Sequence, residues 1–180
     1  MSSKTLDLSV LKKGLPSVTP AMGEMLFEAC SICLHAHNHP NPAKLTVYGD
    51  IGNSFSIGYL RVTQQMQRTY ADQDRTTECA AEAVAIVLIT QETDYTVIER
   101  SMKKTGIDYW LGKKEDAGVP LFQKKARLEI SGIFKGDRGK VDGRVKTKIA
   151  QVQQSASTGL PSYIVVTEFS SPISQVKTNG

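Results

Sequence analysis

The chain has 180 residues, of which 40% are hydrophobic and 22% are charged, so it is long enough for one globular domain with a buried core. No stretch approaches the roughly 18 consecutive apolar residues of a membrane span, and the first five residues lack the apolar segment of a secretory signal. The odd count of three cysteines argues against a disulfide framework and favours a reducing, cytoplasmic compartment.

The formal net charge of +4 is unevenly distributed along the chain. Residues 101–150 carry 13 Lys and Arg against 6 Asp and Glu, a net of +7, whereas residues 1–100 carry 8 against 11, a net of −3. A local excess of positive charge is typical of a surface that binds a phosphate polymer. A basic face that is merely solvated is the more common arrangement, so charge alone leaves both interpretations open.

Residues 1–62 are predicted to form a helix and a strand pair. Thr19-Pro20 is typical of a helix N-cap followed by proline in the first turn, and an apolar stripe at spacings of three and four continues to about residue 38. Residues 45–48 and 54–62 are rich in branched and aromatic side chains and flank a turn that contains two glycines. We expect this segment to be an extension packed on a core of residues 63–172.

Three potential zinc ligands, Cys30, Cys33 and His37, lie on one face of the first predicted helix. A structural zinc site needs a fourth ligand, and Cys79 is the only other cysteine in the sequence. The same positions also belong to the apolar stripe, and free cysteine is among the residue types that are most often buried. The spacing therefore favours core packing, with a zinc site as the alternative.

The predicted core begins with a long helix that starts at residue 63 or 74 and ends near residue 90. Glu82 lies inside the apolar run of this helix, where a carboxylate is costly to bury unless it is paired or bound to a cation. The elements predicted after it are strands at 94–100, 105–112 and 125–135, a basic helix at 141–155 and a strand at 162–169. Residues 173–180 are polar, and we expect them to form a frayed tail.

Two acids are predicted to face each other on neighbouring strands. Asp108 alternates with apolar residues in the strand at 105–112, and Glu129 does so in the strand at 125–135. Two close carboxylates repel each other unless a cation or a proton lies between them, and oxygen ligands on rigid strands suit Mg²⁺ or Mn²⁺. The alternative is that both acids point to water, as strand acids usually do.

The order of these elements resembles that of the PD-(D/E)xK superfamily, the restriction-endonuclease-like nucleases. The residues that carry the resemblance are Glu82 in the first core helix, Gly106-Ile-Asp108, and Leu128-Glu129-Ile-Ser131. The resemblance covers residues 63–169 and implies an α/β fold with an αβββαβ core, in which a central mixed sheet is flanked by helices. In this family a lysine stands two positions after the second strand acid, where this chain has Ser131.

The resemblance implies how the reaction would proceed. Asp108, Glu129 and Glu82, with Glu78 as an alternative to Glu82, correspond to the family's acids, which would hold Mg²⁺ or Mn²⁺ for the hydrolysis of a phosphodiester. The family's lysine helps to orient the attacking water and stabilises developing negative charge. Cations elsewhere could replace it: Arg127 lies on the same strand as Glu129, and Lys146 and Lys148 lie on the following helix, where relocated lysines occur within the superfamily. We assign the catalytic role to Lys146.

The implied partner is nucleic acid, with DNA expected. The side chains predicted to contact its phosphates belong to the basic loop and helix: Lys113, Lys114, Lys124, Lys125, Arg144 and Lys148. Such an endonuclease would act in DNA processing, defence or repair. The missing lysine favours the alternative of a catalytically inactive nuclease-fold protein that binds nucleic acid or a protein partner. An unrelated α/β accessory domain is a third hypothesis, and the sequence leaves a homodimer open.

Overall fold

The computed structural model describes residues 4–114 and 123–180. Within these ranges the chain forms an α/β fold with an eight-stranded mixed sheet and helices on both faces. The strands are β1 (Lys4–Thr5), β2 (Ala43–Gly49), β3 (Asn53–Ile57), β4 (Tyr95–Arg100), β5 (Tyr109–Lys113), β6 (Ala126–Ile133), β7 (Ser162–Glu168) and β8 (Ile173–Asn179). The α-helices are α1 (Pro20–Ala36), α2 (Gln64–Thr69), α3 (Gln73–Glu92) and α4 (Arg138–Val152), and 3₁₀ turns span Leu8–Lys13 and Gln153–Thr158.

The strands follow the order β1-β3-β2-β8-β7-β6-β5-β4 across the sheet. β4, β5 and β6 form an antiparallel meander, and α4 then crosses over so that β7 runs parallel to β6. β8 turns back antiparallel to β7 and pairs in parallel with β2. The strand pair of residues 43–57 and the core strands therefore belong to one continuous sheet.

Each face of the sheet has its own apolar core. On one face α1 packs against α3, which lies on β6 and β7. Because α3 is covered by α1 on one side and by the sheet on the other, nearly all of its residues from Ala80 to Ile89 are buried. On the opposite face, α4 packs Val141, Val145 and Val152 against β6 and β7. Both long helices therefore flank β6.

Most of the predicted elements are present, with shifts at their ends. Thr19 caps α1 by accepting a hydrogen bond from the Met22 amide at 3.3 Å. The long helix predicted from residue 63 or 74 is two helices, because Asp72 caps a new helix at Gln73. The strand expected at 105–112 begins only at Tyr109. No helix in the described ranges is long and apolar enough to cross a bilayer.

The expectation of a frayed tail is wrong, because Ile173–Asn179 forms β8 between β2 and β7. Val176 and Ser174 are fully buried. The hydroxyl of Ser174 lies 2.6 Å from that of Thr167 on β7, so its polarity is satisfied inside the sheet. A polar strand can be central when its buried hydroxyls bond to each other.

Candidate functional site

A cleft of about 550 Å³ opens at the edge of β6, between α3 and α4. The pairing of β5 with β6 stops at Tyr109 opposite Leu128, so the end of β6 has no β5 partner among the described residues. Among the described residues, four acids and four bases line the cleft: Glu78, Glu82, Asp108 and Glu129, and Arg75, Arg100, Arg144 and Lys148. The cleft therefore holds the three acids that the sequence nominates, at the point where the sheet loses a strand.

Asp108 lies immediately before β5, and its backbone and side chain extend the hydrogen bonding between β5 and β6. Its amide donates to the Leu128 carbonyl, and its Oδ2 accepts from the Ile130 amide, both at 2.8 Å. Gly106 begins this approach with φ +73°, and a Cβ there would lie 2.3 Å from the Gln151 carbonyl oxygen. Only glycine allows the chain to pass this close to the end of α4.

Glu129 is buried on the α4 side of β6, with 2% of its side chain exposed. Its Oε1 accepts hydrogen bonds from Lys148 Nζ at 2.6 Å and from Gln151 Nε2 at 2.9 Å. Burial and the charge of Asp108 raise the pKa of Glu129 to about 7, although Lys148 opposes the rise. The two carboxylates interact closely, as the sequence predicts.

Glu82 reaches the cleft from α3, where it forms an ion pair with Arg100 at 2.5 Å. Burial raises the pKa of the Glu82 carboxyl, the charge of Arg100 opposes that rise, and the charge of Asp108 adds to it. The Arg100 guanidinium also lies 4.9 Å from the centre of the Tyr109 ring. Glu82 is thus close enough to Asp108 for their charges to interact, and it is held by a cation of the chain.

Two further cations of the cleft come from α4. Arg144 Nη1 donates to the Ser131 hydroxyl at 2.8 Å, one turn before Lys148 reaches Glu129. Residues four apart share a face of a helix, so both side chains point into the cleft. Lys146 falls on the other side of α4 and is exposed. The residue assigned to catalysis from the sequence therefore lies outside the cleft, and Lys148 contacts Glu129 instead.

The donor set of the cleft suits a hard divalent cation bound by a carboxylate pair. Mg²⁺ commonly uses one or two carboxylates and completes its shell with water and substrate phosphates. Asp108 and Glu129 meet that requirement, since they face each other and offer only oxygen donors. Glu82 is engaged with Arg100. Across residues 4–114 and 123–180, no group of three acid, histidine or cysteine side chains is already arranged for a metal ion.

Two of the lysines predicted to bind nucleic acid lie away from the cleft. Lys113 and Lys114 are at the opposite end of β5 from Asp108, where they border a second cleft. Lys113 lies 3.9 Å from the Asp94 carboxylate, and Lys114 Nζ donates to the Thr90 carbonyl at 2.6 Å. Their contacts are thus with the chain's own α3–β4 segment.

The other two predicted lysines, Lys124 and Lys125, lie just before β6. Lys124 Nζ is 3.0 Å from the Glu99 carboxylate and 4.5 Å from the centre of the Trp110 ring. Neither lysine lines the 550 Å³ cleft. The loop expected to join them to β5 falls largely at residues 115–122, which lie outside the described residues. Of the six predicted phosphate contacts, Arg144 and Lys148 are the two in the cleft.

The potential zinc ligands on α1 are used for packing. Cys30 and Cys33 are fully buried in the core. Burial raises the pKa of Cys33 to about 12, which disfavours the thiolate that zinc requires. His37 Nε2 lies 2.8 Å from the Phe134 carbonyl oxygen, so one ring nitrogen is already engaged. These contacts support the core interpretation of the helix.

Arg100 and Gln151, which contact acids of the cleft, were not among the sequence-based candidates. Gln151 follows Lys148 by three positions, so helical spacing could have grouped it with Arg144 and Lys148. Arg100 reaches Glu82 through the packing of β4 beside α3. Arg100 and Glu82 are 18 positions apart in the sequence, and no local sequence pattern predicts their contact.

No protein-family model, no curated protein and no solved structure matches the chain. Similarity to a characterised protein therefore cannot supply a function. The chemistry of the cleft and the order of the elements around it are the features that bear on function.

Proposed function

We propose that the chain is a metal-dependent, endonuclease-like hydrolase of nucleic acid phosphodiesters, with DNA as the expected substrate. The observation that carries the proposal is the buried Glu129 carboxylate, which faces Asp108 and accepts a hydrogen bond from Lys148. Such a pair of acids with an adjacent ammonium is suited to a divalent cation and an anionic substrate. The order α3-β4-β5-β6-α4-β7 supports a restriction-endonuclease-like core.

In this proposal the carboxylates of Asp108 and Glu129 hold Mg²⁺ or Mn²⁺. The bound ion would polarise the phosphate and lower the pKa of a bound water. The backbone amide of Ile130 fixes one Asp108 oxygen, and Gln151 and Lys148 fix one Glu129 oxygen. The second oxygens of the two carboxylates would bind the cation.

Lys148 takes the role of the family's missing lysine. Its ammonium lies 2.6 Å from Glu129 Oε1, and 19% of its side chain is exposed, so it can stabilise negative charge that develops on a phosphate in the cleft. Arg144 is held by Ser131, the residue that replaces the family's lysine. The serine thus anchors a guanidinium from α4, and Arg144 is available as a phosphate contact.

The setting proposed for this activity is DNA processing, defence or repair in the cytoplasm. Cys30, Cys33 and Cys79 are free thiols, which supports a reducing compartment. Four cations line the cleft. They supply contacts with the backbone of the substrate, which position a nucleic acid strand without reading its sequence.

The test is cleavage of supercoiled plasmid in Mg²⁺ or Mn²⁺, with single-stranded RNA as a second substrate. We expect Asp108→Asn and Glu129→Gln to lower the rate of plasmid nicking by about 10²-fold or more. Glu24→Gln, which changes an exposed acid on α1, is the matched control. Chelator should abolish cleavage in every variant.

Two results would contradict the proposal. Wild-type protein that unfolds cooperatively but cleaves neither substrate in either metal would favour the inactive nucleic-acid-binding alternative, to which Ser131 already points. Cleavage that survives in both Asp108→Asn and Glu129→Gln would place the activity elsewhere, or in a contaminant.

A further inference from the structure

Three of the four acids that line the cleft among the described residues are held by groups of the chain itself. Glu82 pairs with Arg100, Glu129 pairs with Lys148, and Asp108 accepts from the Ile130 amide. The two ion pairs differ in exposure, since 49% of the Arg100 side chain is exposed but only 19% of the Lys148 side chain. A ligand that enters the cleft can therefore reach Arg100 more easily than Lys148.

We propose that Arg100 is a substrate-phosphate-binding residue whose departure from Glu82 frees that carboxylate for the divalent cation. Phosphate and metal would then bind cooperatively at this site. The inference rests on the proposed function and adds a residue that the sequence does not nominate. It also explains why Glu82, Asp108 and Glu129 line one cleft but do not form a group arranged for a metal ion within the described residues.

The chemistry of Arg100 fits a phosphate ligand. A guanidinium offers a planar fork of donors that matches two phosphate oxygens. The Tyr109 ring, 4.9 Å from the guanidinium carbon, is a platform that can keep Arg100 in the cleft after it leaves Glu82. Arg100 is half exposed, so it can exchange the carboxylate for a phosphate, and a cation bound at Glu82 would offset the cost of leaving that mostly buried carboxylate unpaired.

Once Arg100 has moved, the Glu82 carboxylate loses its counter-ion and can bind a cation. It is mostly buried, with 13% of its side chain exposed, and it lies close enough to Asp108 to feel its charge. Two nearby carboxylates without a counter-ion favour a bound cation or a proton. The affinity for a divalent ion should therefore rise when a phosphate occupies Arg100, and linkage requires the reverse effect to be equal.

The test measures Mn²⁺ binding by isothermal titration calorimetry at pH 8, without reference to activity. The variants are Arg100→Gln and Arg144→Gln. Each removes one positive charge from the same cleft, but Arg144 bonds to Ser131 and not to an acid. We expect Arg100→Gln to bind Mn²⁺ about 10-fold more tightly than wild type, within the usual range of coupling. Arg144→Gln should shift the affinity about 2-fold or less, as expected for a screened charge.

The phosphate arm adds a dinucleotide with a phosphorothioate linkage, and a neutral methylphosphonate dinucleotide serves as its control. The phosphorothioate should tighten Mn²⁺ binding to wild type about 10-fold, and the methylphosphonate should not. In Arg100→Gln, and in the double variant with Glu82→Gln, most of this gain should disappear. Cooperative thermal unfolding of each variant establishes that it is folded.

The outcomes separate this inference from the proposed function. Equal effects of Arg100→Gln and Arg144→Gln would overturn the role of Arg100, because general charge removal would then explain both. If Mn²⁺ binds to wild type and is lost in Asp108→Asn, but Arg100→Gln changes nothing, the metal site stands and the coupling is wrong. The absence of Mn²⁺ binding in every variant would overturn both.

Discussion

Lys148 Nζ lies 2.6 Å from Glu129 Oε1, across the interface between α4 and β6. Lys148 thus supplies from the helix the positive charge that the PD-(D/E)xK pattern, which the sequence resembles, would place at position 131 on the strand. Ser131 stands at that position and holds Arg144. The missing lysine of the sequence pattern therefore does not leave the cleft without cations.

Lys148→Met and Lys146→Met separate the two lysines of α4. Loss of Lys148 leaves the buried Glu129 without its ion pair, so we expect the free energy of unfolding at pH 8 to fall by about 1–3 kcal/mol. Cleavage should fall about 10- to 100-fold, as for other partners of a metal-binding carboxylate. Lys146 is exposed, so its variant should stay within about 0.5 kcal/mol of wild type. Urea denaturation and plasmid nicking measure both effects.

The reverse ranking would contradict this arrangement. If Lys146→Met lost cleavage and Lys148→Met kept it, the catalytic cation would be the one on the exposed side of α4. The contact between Lys148 and Glu129 would then be structural only.

The raised pKa of Glu129 predicts a specific dependence of stability on pH. An unfolded Glu loses its proton near 4.5 and the folded Glu129 near 7, so the unfolded chain binds fewer protons in this window. Below pH 4.5 the carboxyl is protonated in both states and does not lower the free energy of unfolding. As pH rises from 4.5 through 7, it lowers the free energy of unfolding by up to about 3 kcal/mol. In chelator, Glu129→Gln should gain stability relative to wild type between pH 5 and pH 8.

Glu99→Gln, which changes an exposed acid on β4, is the control for this titration. Its difference from wild type in unfolding free energy should stay nearly constant over the same range. A Glu129→Gln difference that is equally flat would show that Glu129 is ionised throughout, and that Asp108 does not raise its pKa.

Gly132 tests how closely β6 packs against α3, and Gly143 on α4 is its control. A Cβ at Gly132 would lie 2.5 Å from the Thr77 carbonyl oxygen, so Gly132→Ala should force β6 and α3 apart at a cost of about 1–3 kcal/mol. Gly143 lies in α4 with nothing within 4 Å of its Cβ position. Gly143→Ala should therefore stabilise the protein by roughly 0.5–1 kcal/mol. Urea denaturation measures the free energy of unfolding of both variants. Equal effects of the two substitutions would contradict the close approach of α3 to β6.

The position of β8 inside the sheet predicts slow amide exchange near the C-terminus. Val176 is fully buried and its backbone pairs with β7 and β2. Residues 173–179 should exchange as slowly as 162–168, because neither strand is at an edge. Lys4–Thr5, which forms the edge strand β1, is the internal reference for fast exchange. Fast exchange throughout 173–179 would restore the frayed tail expected from the sequence.

The sequence predicts the main elements because their apolar periodicity is strong. α1, α3, α4, β6 and β7 appear close to their predicted positions, since each buries a continuous stripe or run. β8 was missed because its buried Ser174 looks solvent-exposed in a sequence, and only the facing Thr167 makes it suitable for the interior. Polar pairs of this kind are a property of the tertiary structure.

The candidate site likewise contains residues that the sequence predicts and residues that only the tertiary structure reveals. Glu82, Asp108 and Glu129 could be nominated because acids in apolar surroundings are costly and therefore informative. Choosing between Lys146 and Lys148 required the rotation of α4 relative to β6, which only the packing defines. Arg100 depends on the contact of β4 with α3, so it could not be predicted from spacing.

A Mn²⁺ titration at pH 8, followed by electron paramagnetic resonance of the free ion, tests whether Asp108 and Glu129 form a metal centre. We expect one bound Mn²⁺ per wild-type chain, loss of that site in Asp108→Asn and in Glu129→Gln, and its retention in Glu24→Gln. A folded wild-type protein that binds no Mn²⁺, or a site that survives both substitutions, would show that Asp108 and Glu129 do not form a metal centre.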